Sequence, residues 1–321
     1  MYIGHSLLAF TLAGLAAWGN GARDRTVLLA GAAAAGFALI PDVDSAYTIW
    51  AVLRAGPSNV FPTTEYVWTA EGWFVHRSLT HSLLIGVVTA VLSLVAALGI
   101  RRPRQRHRAG TIAIVAGLGG GLVVIGFLTD GVLGVATMGL YLGAAIVVTL
   151  LAVRAGVPAR LIGWAAAIGI LTHPFGDVFM GRPPAFFYPI LTRPSVEKVA
   201  VATDPTVNLV GLFIIEIFLA WSVLWLVTRV TEEPLRDHIA WRATIGIVFA
   251  TAVMFIRPPT LAVAYHFTLG TLATGAVLGV APTLVDRTPS SNGFLTPLTT
   301  GLATVTLAVA GYLLAYLVYA A

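Results

Sequence analysis

His76-Arg77-Ser78-Leu79-Thr80-His81-Ser82 runs straight into Leu83-Leu84-Ile85-Gly86-Val87-Val88-Thr89-Ala90-Val91-Leu92-Ser93-Leu94-Val95-Ala96-Ala97-Leu98-Gly99-Ile100. The second stretch carries no charge over a length that crosses a ~30 Å hydrocarbon core as a helix. The first sets two histidines, an arginine and three hydroxyls at the mouth of that helix. A membrane span opened by metal-ligand chemistry is the pattern from which the rest of the chain can be read.

Composition generalises the first half of that reading. The 321 residues are 58% hydrophobic and 10% charged, with mean hydropathy +0.88. A soluble domain carries about 25% charged residues, so the chain reads as an all-α, polytopic transmembrane helix bundle whose partner is the lipid bilayer. The net charge of +5 comes mainly from arginine, with Lys198 the single lysine. In such a protein the excess reports orientation before it reports an acidic partner. With no cysteine, a disulfide, a thiolate metal site and a cysteine nucleophile are excluded. The apolar stretch Leu7 to Trp18 has no Lys or Arg before it, so it reads as a helix rather than a signal peptide.

Apolar runs suggest about ten spans: Tyr2–Trp18, Thr26–Ile40, His81–Ile100, Thr111–Leu128, a fifth reached through a tight turn at Asp130-Gly131 and ending at Val153, Leu161–Thr172, Val207–Val227, Ala243–Ile256, Leu261–Val280 and Leu298–Tyr319. The ligand-bearing segments lie in residues 1–204, and 205–321 form a further four-helix region of unknown role. Arg101 to Arg108 holds five arginines in eight residues, the strongest positive-inside signal in the chain. With that loop in the cytoplasm, counting crossings puts His5, Asp42, Asp44, His76, His81, His173 and Asp177 at one, non-cytoplasmic face. Their segments are the outer ends of the first, second, third and sixth spans. The second span is short, about 22 Å at 1.5 Å per residue, which sinks Asp42 and Asp44 into a recess.

Four histidines and three aspartates are ligand types for zinc, with manganese and iron as alternatives. Asp42 and Asp44, two apart past a helix end, point the same way if the backbone there is extended. His173 and Asp177 share a face if their helix continues through Pro174. Seven candidate ligands exceed the set for one catalytic zinc, leaving room for one or two ions with Asp42 or Asp44 as bridge. The chemistry such a set points to is metal-assisted hydrolysis, with Asp42 and Asp44 at the reacting centre and Arg77 placed to hold an anionic group.

Gly4-His5, Pro41-Asp42-Val43-Asp44, His76-Arg77-Ser78-Leu79-Thr80-His81-Ser82 and His173 with Asp177 together resemble the YdjM-like membrane-bound metal-dependent hydrolases. The resemblance covers roughly residues 1–200. It departs at Ser78, where the family pattern usually has glycine. It implies an integral inner-membrane protein, distantly similar to zinc-dependent phospholipase C and P1-type nuclease, acting on a small-molecule or lipid phosphoester.

Blander readings stand beside these. Pro-Asp is ordinary turn chemistry, Ser78 and Thr80 serve as helix N-caps, and Trp50, Trp68 and Trp73 are interfacial anchors. His107 and His238 read as cytoplasmic surface residues. Glu216, inside the seventh apolar run, is the best argument for a metal-binding transporter or carrier; it either pairs with His266 or stays protonated. Transporters place sites near the midplane on broken helices in matched halves, whereas these ligands collect at one end of one half. A non-catalytic structural metal site is the third class. Nucleic-acid binding is not supported, because the basic residues form short loops away from the candidate site.

Overall fold

The computed structural model describes residues 2–46, 77–101, 105–180, 183–194, 196–285 and 294–320. It is helical, and the chain divides into two units, Met1–Lys198 and Val199–Ala321. Among the described residues five helical stretches are long and apolar enough to cross a membrane: Asp24–Ser45, Leu83–Arg101, Ala109–Arg154, Pro205–Val230 and Leu295–Tyr319; Ile3–Gly19 and Trp241–Met254 are apolar but shorter. The sequence reading had ten spans; the described residues supply five stretches that meet the length and apolarity of a crossing.

The first unit contains α1 (Tyr2–Gly19), α2 (Asp24–Ala38), a 3-10 turn (Pro41–Ser45), α3 (Leu83–Arg101), α4 (Gln105–Arg154) and α5 (Ala159–Asp177). Small residues set how closely these helices approach, as expected where lipid gives no hydrophobic drive to pack. Ala9, Ala13 and Ala17 repeat every four residues along α1 and are all buried. A Cβ on Gly31 would lie 3.0 Å from the Phe10 carbonyl oxygen, and one on Gly169 would lie 2.4 Å from that of Ala34. The second contact brings the end of α2 against α5, next to His173.

Gly131 breaks α4 with φ 60° and ψ −137°, a conformation that suits glycine. In a continuous helix residues 126 and 134 stand about 12 Å apart along the axis. Here a Cβ on Gly134 would lie 2.0 Å from the Gly126 oxygen, so the two halves double back. The Asp130-Gly131 turn read from the sequence is present.

α5 runs through Pro174 to Asp177, placing His173 and Asp177 one turn apart on one face. Asp42 and Asp44 lie in a 3-10 turn instead of extended backbone. At three residues per turn, positions two apart point about 240° around the axis, so their carboxylates diverge. Pro41 at the first position of the turn favours this tighter start.

The second unit contains α6 (Pro205–Val230), a 3-10 helix (Trp241–Met254), α7 (Tyr265–Val285) and α8 (Leu295–Ala320). Asp204 caps α6, accepting from the backbone N–H groups of Thr206 and Val207 at 2.9 and 2.8 Å, with Pro205 at the first helical position. Its core is Val210, Ile217, Phe267, Val305, Val309 and Tyr312.

Candidate metal centre

Five candidate ligands converge in the first unit: His5 from α1, Asp42 from the 3-10 turn after α2, His81 from just before α3, and His173 and Asp177 from α5. Asp177 holds the middle. Its Oδ2 lies 3.0 Å from His81 Nε2 and 3.4 Å from His173 Nε2, and its Oδ1 lies 3.4 Å from His5 Nε2. Asp42 Oδ1 lies 3.5 Å from His173 Nε2 and 3.7 Å from His81 Nε2. The His5 and His173 rings stack at 3.9 Å, and His81 meets His173 edge-on at 4.9 Å.

Each anchored ring has an identifiable orienting partner. His173 Nδ1 lies 2.7 Å from the Ala38 carbonyl oxygen; a carbonyl only accepts, so Nδ1 carries the proton and Nε2 faces the cluster. Thr80 Oγ1 donates to Asp44 Oδ2 at 2.6 Å and lies 2.9 Å from His81 Nδ1. The carboxylate therefore orients the hydroxyl, and the hydroxyl accepts from Nδ1–H, turning His81 Nε2 inward. Such outer partners fix tautomer and direction in metal-ligating histidines. His81 is fully buried.

The donor set fits a divalent cation. His5, His173 and Asp177 form one triad and Asp42, His81 and His173 another, with the ligand atoms of each within 4.8 Å of one another. A tetrahedral shell at 2.0–2.1 Å places neighbouring ligand atoms about 3.3–3.4 Å apart, and most of the separations above fall near that edge. His173 Nε2 and Asp177 Oδ2 are buried without a hydrogen bond among the described residues, a costly state for polar atoms that a cation relieves. The two triads share His173, whose Nδ1 is engaged by Ala38, so its single inward nitrogen can serve one ion at a time.

Of the two remaining expected ligands, one is placed elsewhere and the other is not described. Asp44 belongs to neither triad; it sits behind His81, accepting from Thr80 and from the Arg77 backbone N–H at 3.3 Å. His76 lies outside the described residues. Arg77 is turned inward: Nη2 meets Asp177 Oδ1 at 3.0 Å, and Nη1 donates to the Asp177 and Met180 carbonyls. Its guanidinium is thus engaged with Asp177 and the carbonyls beside it. Arg77, not Ser78, takes the left-handed backbone, with φ 68°, so serine replaces the family's glycine without strain.

A family model described as YdjM inner membrane protein matches residues 1–264. The chain belongs to the YdjM inner membrane protein family. That match contains every candidate ligand and extends past the motif-bearing first 200 residues into the second unit, as far as Ala264. No curated protein and no solved structure matches the chain.

Several roles were not readable beforehand. Ser82, rather than Ser78 or Thr80, caps α3, its Oγ accepting from Ile85 N–H at 3.4 Å. Gly176 lies under the His5 ring, where a Cβ would come within 2.4 Å of Cε1. In the second unit His238 is buried, with Nε2 3.3 Å from Glu233 Oε2 and Nδ1 3.3 Å from Thr296 Oγ1. It is no surface residue. His266 directs Nε2 to the Arg257 carbonyl at 3.1 Å in place of the expected Glu216.

Proposed function

We propose that this protein is a membrane-embedded, metal-dependent hydrolase that cleaves a phosphoester, with its site on the non-cytoplasmic side of the inner membrane. The observation that carries the reading is the convergence of three inward-facing imidazole nitrogens on two carboxylates, with the His81 and His173 rings held by partners outside the cluster. His5, Asp42, His81, His173 and Asp177 hold one divalent cation, zinc first by ligand type and manganese or iron as alternatives. When bound, such a cation supplies Lewis-acid polarisation and brings the ionisation of water toward neutral pH. In hydrolysis water adds to phosphorus, one ester P–O bond breaks, and a proton from the water ends on the departing alcohol.

The chain's own residues do the rest. Arg77 fixes the Asp177 carboxylate from behind. Asp44 and Thr80 fix the His81 ring, and Ala38 fixes that of His173. Asp42 has the least buried of the five donor side chains, at 15% exposure, and marks the side from which substrate enters. The nearly complete burial of the other four favours one second reading, a closed structural metal site. Turnover separates the two. Metal-loaded wild-type protein is expected to hydrolyse members of a panel of phosphodiesters and phospholipids, and the Asp42→Ala/His81→Ala variant is expected to lose metal and turnover together. Metal without turnover across the panel supports the structural reading. Metal retained by the double variant rejects this ligand set.

A further inference from the structure

The segment Pro183–Leu191 is fastened to the candidate metal centre by its backbone. Ala185 N–H donates to the Arg77 carbonyl at 3.2 Å, and Leu83 N–H donates to the Phe186 carbonyl at 2.9 Å. Ser82 Oγ donates to the Tyr188 carbonyl at 2.7 Å, and the Tyr188 hydroxyl donates to Asp130 at the bend of α4 at 3.3 Å. These bonds bury Ala185, Phe186 and Tyr188 and leave Phe187, Ile190 and Leu191 facing outward, Ile190 with 76% of its surface exposed. Phe175, between donors His173 and Asp177 on α5, is also exposed, and its ring lies 5.1 Å from that of Phe186.

This patch has features of a lipid contact. It carries no charge from Pro183 to Thr192, and the next residue, Arg193, is exposed and long enough to reach headgroup phosphates. Apolar surface in water costs about 25 cal/mol per Å². This surface is tied to the first turn of α3, a helix of spanning length in an inner-membrane family. At that height the neighbouring medium is the boundary between headgroups and acyl chains. We infer that Phe175, Phe187, Ile190 and Leu191 form a lipid-contacting rim of the metal centre, and that the phosphoester cleaved is the headgroup of a membrane lipid entering from the bilayer. The substrate half rests on the hydrolase reading; the rim does not.

The absence of cysteine makes a clean test available. Ile190→Cys carries a single spin label, read in vesicles of phosphatidylethanolamine and phosphatidylglycerol. The rim predicts collisions with oxygen and protection from a water-soluble nickel chelate. A label open to nickel, or immobile and shielded from both reagents by protein, overturns it. For the substrate, Phe187→Gln/Ile190→Gln is expected to keep its metal and lose about tenfold or more in kcat/KM on a long-chain phospholipid in mixed micelles, with a soluble nitrophenyl phosphodiester unaffected. Equal effects on both substrates, or none on either, overturn the lipid assignment. No turnover of either substrate by the loaded wild type overturns the hydrolase reading and the substrate assignment with it, while the label still decides the rim.

Discussion

Each unit buries histidine beside carboxylate, but the two clusters differ in how the ring nitrogens are used. In the second unit His238 faces one carboxylate, Glu233, and one hydroxyl, Thr296, while its carbonyl accepts from Thr299 and Thr300. The threonines tie a 3-10 turn, Leu235–His238, to α8, and Glu233 Oε2 is left without a hydrogen bond among the described residues. In the first unit three imidazoles crowd around Asp177 and Asp42, and His173 Nε2 and Asp177 Oδ2 remain without hydrogen bonds among the described residues. Burial alone therefore does not distinguish a metal centre from a structural histidine. What sets the first cluster apart is the convergence of several donors from three histidines and two aspartates, with some rings held from outside it.

The largest effect that sharpens this contrast is expected from Asp177→Ala. It removes the carboxylate shared by His5, His81, His173 and Arg77, and should abolish bound metal and cost about 3–5 kcal/mol, as when one partner of a buried charge set is deleted. Plasma mass spectrometry and thermal unfolding in detergent check the two parts. His238→Ala should leave the metal content untouched; metal loss in that variant would break the comparison. Gly176→Ala comes next. Its methyl group would meet the His5 ring, so metal affinity should fall while the helices persist, measured by competition with a chelator and by circular dichroism.

Thr80→Val should weaken metal binding about 10- to 100-fold, the usual cost of losing an outer-shell partner, without changing the ligand count. His238→Gln should cost about 1–3 kcal/mol of stability from the polar groups it leaves unpaired and nothing in metal affinity. The smallest effect belongs to Ser78→Gly. Because Ser78 does not adopt the left-handed region, restoring the family's glycine should change stability by under about 0.5 kcal/mol.

Much of this architecture was legible because lipid imposes simple demands. Uncharged runs announce the helices, and Asp130-Gly131 announces the turn that folds α4 back on itself. The one-sided clustering of His5, Asp42, His81, His173 and Asp177 followed from crossing parity within the first unit, and their ends do meet. What stayed hidden depends on local backbone or on contacts across long separations. Asp42 and Asp44 looked equivalent until Pro41 opened a 3-10 turn that separates them. Thr80 resembled a cap because its partner, Asp44, lies 36 positions away. Arg77 resembled an anion hook because Asp177, 100 positions on, could not be seen beneath it. His238 was placed at the surface because its threonine partners come from α8.

The central claim is that the first unit binds one divalent cation through His5, Asp42, His81, His173 and Asp177. The most direct test is the metal stoichiometry of protein purified in detergent and dialysed against metal-free buffer. The account predicts about one equivalent in the wild type and in His238→Ala, and none in Asp42→Ala/His81→Ala. A wild-type protein without tightly bound metal, or a double variant that keeps it, would contradict the account.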